Sequence, residues 1–494
     1  MSADRITDVM TDDRRLVAGC LLGSFVGTDA PPWLLESIRD GLGGVLLFAQ
    51  NVVDDDQVAR LCAQLRSARA ELVIAIDEEG GDVTRLDARL ASNTPCPAAF
   101  GFVDEVRLTE AAYAELGHRV HALGIDVTLA PCADINSNPQ NPIIGVRSFG
   151  KTADLVSRHV SAAVAGFRRG GVTVCVKHFP GHGDTSDDTH LGTAHISASM
   201  ATLADRELVP FSAALAAGAE GALTAHIVAD ALDDEPVSLS ARWTELLRES
   251  MGFDGVIVTD ALDMDGVACG RGIDGVADAA VRALRAGADF LCLGSNFDQA
   301  MTSTVIDAIV PAVVAGGIPR SQLEVSHKRI ASLRGESAVP QLEESDAARR
   351  VAEGAIVVDG RPPVGPFAVL ECRPRLSMAS FNVAWGVAAE LGRQGGPTMM
   401  IHEADDLDTT CAEFIAMAGD RPMLIVVRDA AVHTWQRDVI ERCVVAGRIT
   451  VVAEMGWPSE WRPPSSVYIV THGAARVSAQ AMIQLLPIEV SEET

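Results

Sequence analysis

Eight short apolar runs, separated by helical patterns, recur through residues 16–294 and limit what this chain can fold into. They are "LVAGCLLGSFVG" (16–27), "GGVLLFA" (43–49), "ELVIAID" (71–77), "DVTLAPCADIN" (126–136), "VTVCVKHF" (172–179), "GALTAHI" (221–227), "GVIVTDAL" (255–262) and "ADFLCLG" (288–294). Most are near-continuous rather than alternating, the pattern of parallel strands covered on both faces. Between them lie segments such as "DDQVARLCAQLRSA", "LVSRHVSAAVAGFRRG" and "IDGVADAAVRALRAG", with helical spacing and, in the last two, a terminal glycine stop. Strands alternating with helices in this number predict an α/β protein built on a (β/α)8 TIM-like barrel, with a doubly wound sheet as the alternative.

At 494 residues and 48% hydrophobic, the chain exceeds one ordinary domain and has ample core material. The barrel is expected over residues 1–336, followed by a linker and lead-in helix over 337–366 that includes most of the polar, proline-containing "ESAVPQLEES". Residues 367–494 carry their own runs, "FAVLE", "MLIVVRDA", "ITVVAEMG" and "SVYIVTHG", and predict a smaller α/β sandwich domain without a dense catalytic constellation. Forty basic against 67 acidic residues, a net charge of −27, disfavour nucleic acid and anionic membranes as partners. The opening "MSADRITDVMTDDRR" lacks the features of a secretory signal, and no apolar stretch reaches a membrane span, so a cytoplasmic protein is expected. Ten cysteines are scattered without a CxxC pair or zinc-like spacing, which predicts buried free thiols.

A barrel of this kind keeps its active site at the C-terminal ends of its strands. There the sequence places Asp77, Asp134 and Asn136, Lys177 and His178, His226 and Asp260. The densest stretch, "KHFPGHGDTSDDTH" (177–190), reads as a loop after the fifth strand. In an extended "DTH", Asp188 and His190 point the same way, so the carboxylate can orient one imidazole nitrogen and favour the imidazolium. Taken alone, a D-x-H reads as surface loop; its place at the catalytic face argues for acid/base chemistry. His182, Asp184, Asp188 and His190 could instead hold a metal, but barrel metallohydrolases draw ligands from several strands, and "LLGSFVGT" offers none. No metal and no cofactor are therefore expected. Only three of the 40 basic residues are lysines, so Lys177 at a strand end suggests a need for a compact ammonium. Asp260 alone reads most simply as a helix cap, and Asp77, with Arg85 beyond a Gly-Gly turn, as part of a tight acidic turn.

The motifs "IDEEGGDVTRL", "NPIIGVRSFG", "KHFPGHGDTSDDTH" and "VIVTDALDM" together resemble, in order and spacing, the glycoside hydrolase family 3 β-N-acetylglucosaminidases, over residues 16–335. The resemblance implies a retaining exo-acting enzyme that releases terminal β-linked N-acetylglucosamine from cell-wall muropeptides or other aminosugar glycosides, as in peptidoglycan recycling. It implies Asp260 as nucleophile, His190 as general acid/base and Asp188 as its dyad partner. Asp77, Arg85, Arg147, Lys177 and His178 would bind the sugar. Thr189 stands where members often have Ser, and Asp187 adds a charge beside the dyad. A histidine base need not repel an anion, so inorganic phosphate is open as an acceptor and a phosphorylase is the alternative. A β-glucosidase and a non-catalytic sugar-binding protein on the same scaffold are the other readings.

Overall fold

The computed structural model describes residues 12–186, 192–335, 341, 345–375, 377, 380, 383–392, 395–445 and 447–487. By contact the chain divides into two compact units. The first comprises residues 1–79, 109–141 and 151–344, the second residues 80–108, 142–150 and 345–494.

In the first unit every one of the eight apolar runs contains a strand. These are β1 (Leu21–Gly23), β2 (Gly44–Leu47), β3 (Val73–Ile76), β4 (Val127–Thr128), β5 (Thr173–Phe179), β6 (Gly221–Thr224), β7 (Val256–Thr259) and β8 (Leu291–Cys292). They pair in the order β8-β1-β2-β3-β4-β5-β6-β7, all parallel. The two ends of that order meet at a parallel bridge between Val258 and Phe290, which curls the sheet into a barrel. The runs read as continuous because both faces are buried. Leu22, Leu46, Ala75, Cys175, Leu223 and Val258 fill one internal cluster. Their neighbours Leu21, Val45, Ile74, Val174 and Ile257 are 0–1% exposed as well.

Helices follow the expected grammar. Asp54 accepts the N–H of Gln57 at 2.8 Å and starts the helix Asp55–Ala68. Gly287, at φ 98°, stops the helix Gly272–Ala286. At the N-terminal end of the barrel, three acids that precede even-numbered strands pin their neighbours. Asp126 accepts the N–H of Ile74 at 2.8 Å, Glu220 that of Val174 at 3.0 Å and Asp289 that of Ile257 at 2.9 Å. Each acid also pairs with an arginine, respectively Arg66, Arg168 and Arg248.

The second unit holds a six-stranded sheet: β9 (Val357–Asp359), β10 (Ala368–Arg373), β11 (Thr398–His402), β12 (Met423–Val427), β13 (Thr450–Glu454) and β14 (Val467–Val470). The order is β9-β14-β13-β12-β10-β11, parallel except for β9. Alternate residues of β12 enter different cores: Ile425 and Val427 pack with Phe414 and Val439, Leu424 and Val426 with Ile469 and Met482. Helices therefore cover both faces, and the sandwich has three layers. The segments 80–108 and 142–150 pack in this unit. Asp82 pairs with Arg428 at 2.5 Å and accepts the N–H of Ala474 at 3.0 Å, and Cys96, Ala98 and Val146 cluster against Trp457. Charged groups are thus concentrated here, at Asp82, Arg428, Asp429 and Glu454, although the sequence showed no such cluster. All ten cysteines are free, nine of them buried and Cys269 exposed. Among the described residues, no helix is long and apolar enough to cross a membrane.

Candidate active site

Strand β5 carries the densest chemistry because its backbone is irregular there. Val176 pairs with Ala222 and Phe179 with Thr224, so β5 holds one residue more than β6 between those pairs. Such a bulge breaks the strict alternation of side chains and re-aims them. Lys177 and His178 sit in it. Lys177 is 4% exposed, and its Nζ lies 2.6 Å from Asp77 Oδ1 and 2.7 Å from Glu79 Oε1, both just beyond β3. One compact cation thus serves two carboxylates, which a planar guanidinium does with different geometry.

His178 turns to the other side. Its Nδ1 lies 2.7 Å from Oδ2 of Asp134, a fully buried residue beyond β4. Asp134 also accepts the backbone N–H of His182 at 2.6 Å and the thiol of Cys132 at 3.0 Å. Burial alone would raise the Asp134 carboxyl, but the adjoining His178 and these donors bring it down to about 2. Asp134 is therefore an acceptor only, and the Nδ1 of His178 carries the proton. His182 is held down to about 4, first by burial and then by His178, so it is neutral at pH 7. Asn141 donates to the carbonyls of His182 at 2.9 Å and Thr185 at 3.0 Å, and Thr185 Oγ1 lies 2.8 Å from His182 Nδ1. Gly183 is required here: a Cβ would stand 1.7 Å from the carbonyl oxygen of Ile135.

Asp260 follows β7 and is half-buried. It does not cap a helix. Its Oδ1 accepts the adjacent N–H of Ala261 at 2.8 Å, while the next helix, Asp265–Ala268, has Met264 at its N-cap. His226, beyond β6, braces that turn by donating from Nε2 to the carbonyl of Ala261 at 2.9 Å. Its Nδ1 lies 2.7 Å from Ser238 Oγ. The Cys292 thiol is pushed well up, by burial and then by Asp260, Asp263 and Asp77 after a bond from Gly294 that opposes them. Asp77 follows β3, and Asp260 and Asp263 follow β7, so all three come after C-terminal strand ends of the barrel.

Of the residues singled out from sequence, Asp77, Lys177, His178 and Asp260 all stand at barrel strand ends in the first unit. Arg85 and Arg147 belong by contact to the second unit, where Arg147 is 5% exposed and donates to the carbonyl of Ile143 at 3.3 Å. Asp188 and His190 lie outside the described residues. Asp184, weighed as a metal ligand, is instead paired with Arg206 at 2.6 Å. Cys132, Asp134 and His178 are the described residues whose ligand atoms lie within 4.8 Å of one another, and they already bond among themselves. Sequence reasoning placed Asp134 at a strand end without seeing its partner, and passed over Glu79 and Glu207. The run "DEEGG" carried the signal for Glu79; the "DRELVPF" that holds Glu207 reads as an ordinary charged helix face.

Residues 35–333 match the family model described as the glycosyl hydrolase family 3 N terminal domain. The chain is 33% identical over 358 residues to beta-hexosaminidase A of Pseudoalteromonas piscicida, covering 67% of this chain and 58% of that protein. It is 33% identical over 300 residues to a beta-hexosaminidase of Methylococcus capsulatus, covering 60% of this chain and 86% of that one. Among solved structures, a glycoside hydrolase family 3 beta-N-acetylglucosaminidase from Paenibacillus sp. str. FPU-7 superposes with a TM-score of 0.83 at 28% identity, over 97% of each chain. With that model matched across the barrel whose strand ends have just been described, the chain belongs to glycosyl hydrolase family 3.

Proposed function

We propose that the protein is a retaining exo-β-N-acetylglucosaminidase acting on small aminosugar glycosides, cell-wall muropeptides among them, in the cytoplasm. The observation that carries this reading is the bulged β5, where "KHFPGHG" sets Lys177 on Asp77 and Glu79 and His178 on Asp134, two strands from β7, which Asp260 follows. Relatives bearing the hexosaminidase and β-N-acetylglucosaminidase names support the choice of sugar.

In this reading Asp260 attacks the anomeric carbon and forms a glycosyl ester while His190, oriented by Asp188, protonates the departing oxygen. His190 then takes a proton from water as the ester is hydrolysed, and the configuration is retained. Lys177, Asp77, His178, Arg85 and Arg147 bind the hydroxyls and the N-acetyl group. The bond to Asp134 fixes a proton on Nδ1 of His178 and with it the orientation of the ring.

Incubation with p-nitrophenyl N-acetyl-β-glucosaminide tests the proposal. Release of nitrophenolate faster than from the glucoside, and its loss in Asp260→Ala, are expected. No release by the intact protein, or equal release by the variant, contradicts it. Product analysis with added phosphate separates free sugar, the expected product, from sugar 1-phosphate.

A further inference from the structure

The helical stretch after the β5 loop begins at Met200, passes through Leu203–Glu207 and continues to Ala216. Glu207 closes its second turn with a side chain that is 0% exposed. Its Oε1 accepts Nε–H of Arg206 at 2.6 Å, and another arm of the same guanidinium reaches Asp184 Oδ2 at 2.6 Å. Oε2 is buried and, among the described residues, has no hydrogen-bond donor. It faces Gly181, where a Cβ would stand 3.0 Å from Oε2 and where φ is +128°.

These contacts touch both ends of the tetrapeptide Gly181–Asp184, which follows β5 after Pro180. The β4 side of that segment is held by Asp134 on the amide of His182 and by Asn141 on its carbonyl. The helix side is held by Glu207 packed on Gly181 and by Arg206 on Asp184. A buried carboxylate is costly, and an apolar side chain of the same volume would fill the space at lower cost. Packing alone therefore does not account for Glu207.

We propose that Glu207 is a positioning residue of the glycosidase site, acting with Arg206 and Asp184 to fix the backbone of Gly181–Asp184 as it leads into the segment bearing Asp188 and His190. The role rests on the activity proposed above, because the group it positions is the proton donor to the leaving oxygen. It makes a demand on chemistry that a general stabilising role does not. A glycoside with a poor leaving group needs that proton; a nitrophenyl glycoside departs largely without it.

The test compares kcat/KM of Glu207→Gln on N,N′-diacetylchitobiose and on p-nitrophenyl N-acetyl-β-glucosaminide. Expected is a loss of about 10-fold or more on the disaccharide against about 3-fold or less on the nitrophenyl glycoside, within the range over which general acid catalysis acts. Equal losses on both substrates, or no loss, overturn the role. If Glu207→Gln does not fold, Arg206→Gln and Asp184→Asn decide: the same split supports the role, and its absence in both overturns it. An intact protein inactive on both substrates sinks the activity itself, a failure visible before any variant is made.

Discussion

Lys177 stands where arginine, this chain's usual cation, would be a poor substitute. Its nitrogen is buried between two carboxylates at 2.6 and 2.7 Å, and removing the charge takes a buried cation from both acids. Lys177→Ala should therefore cost about 3–5 kcal/mol in denaturant unfolding. Lys177→Arg should fold yet lose about 100-fold in kcat/KM; activity within 3-fold of the parent would show that the compact ammonium is dispensable. Asp134 gives a second prediction, with a definite sign. Its carboxyl titrates at about 2 when folded and near 3.9 when unfolded, so its contribution is full above pH 3.9 and lost as the pH falls to about 2. Asp134→Asn should lose about 2 kcal/mol at pH 7 and flatten the stability profile below pH 4. An unchanged acid limb contradicts this. Lys177 could be singled out from rarity and position alone. The Asp134–His178 bond could not, since its partners are 44 residues apart and meet only when adjacent strands align.

At the level of elements, within the two large sheets the sequence predicted the strands that are buried and missed those that are not; the short, mostly buried pair Ala194–Ile196 and Ile227–Ala229 also went unseen. All eight barrel runs and four runs near the C-terminus became strands, whereas β9 and β11 went unseen. Both lie at sheet edges. β9 is exposed at every residue, and β11 is buried only at Ile401, so neither leaves an apolar run. The β5 bulge was equally invisible, because it is a matter of register with β6. The loop beyond it sets a pH dependence. His182 titrates at about 4 folded and near 6.5 unfolded, so between those values the unfolded chain binds the extra proton and stability rises with pH. Glu207 is raised to about 7, chiefly by burial, from near 4.5, so there the folded state holds the extra proton and stability falls with pH. Each effect is worth about 3 kcal/mol and they nearly cancel. Glu207→Gln removes the opposing effect of Glu207, so the unfolding free energy of the variant relative to the parent should rise by about 3 kcal/mol between pH 4 and 7. A difference between the two that does not change with pH contradicts the assignment.

For the molecule as a whole, the strands that build the barrel lie in order along the sequence, but the two units do not divide the chain at a single point. Segments 80–108 and 142–150 follow β3 and β4, yet pack with residues 345–494. That assignment depends on Asp82 meeting Arg428 and on Cys96, Ala98 and Val146 meeting Trp457, contacts between residues more than 300 positions apart. No local pattern announces them. A chain cut after residue 336 leaves Asp82 buried without its arginine and strips the apolar cover from Cys96 and Val146. It should aggregate or retain less than about 1% of the activity, and a truncated chain as active as the parent would show that residues 337–494 are dispensable. The central claim is that Asp260 becomes covalently bonded to the sugar. Incubation with a 5-fluoro N-acetylglucosaminyl analogue, which slows release of the glycosyl-enzyme, followed by peptide mass spectrometry, tests it most directly. The account predicts one added glycosyl group on the peptide containing Asp260, absent in Asp260→Asn. A label on another residue, or turnover of the analogue with no covalent adduct, would contradict it.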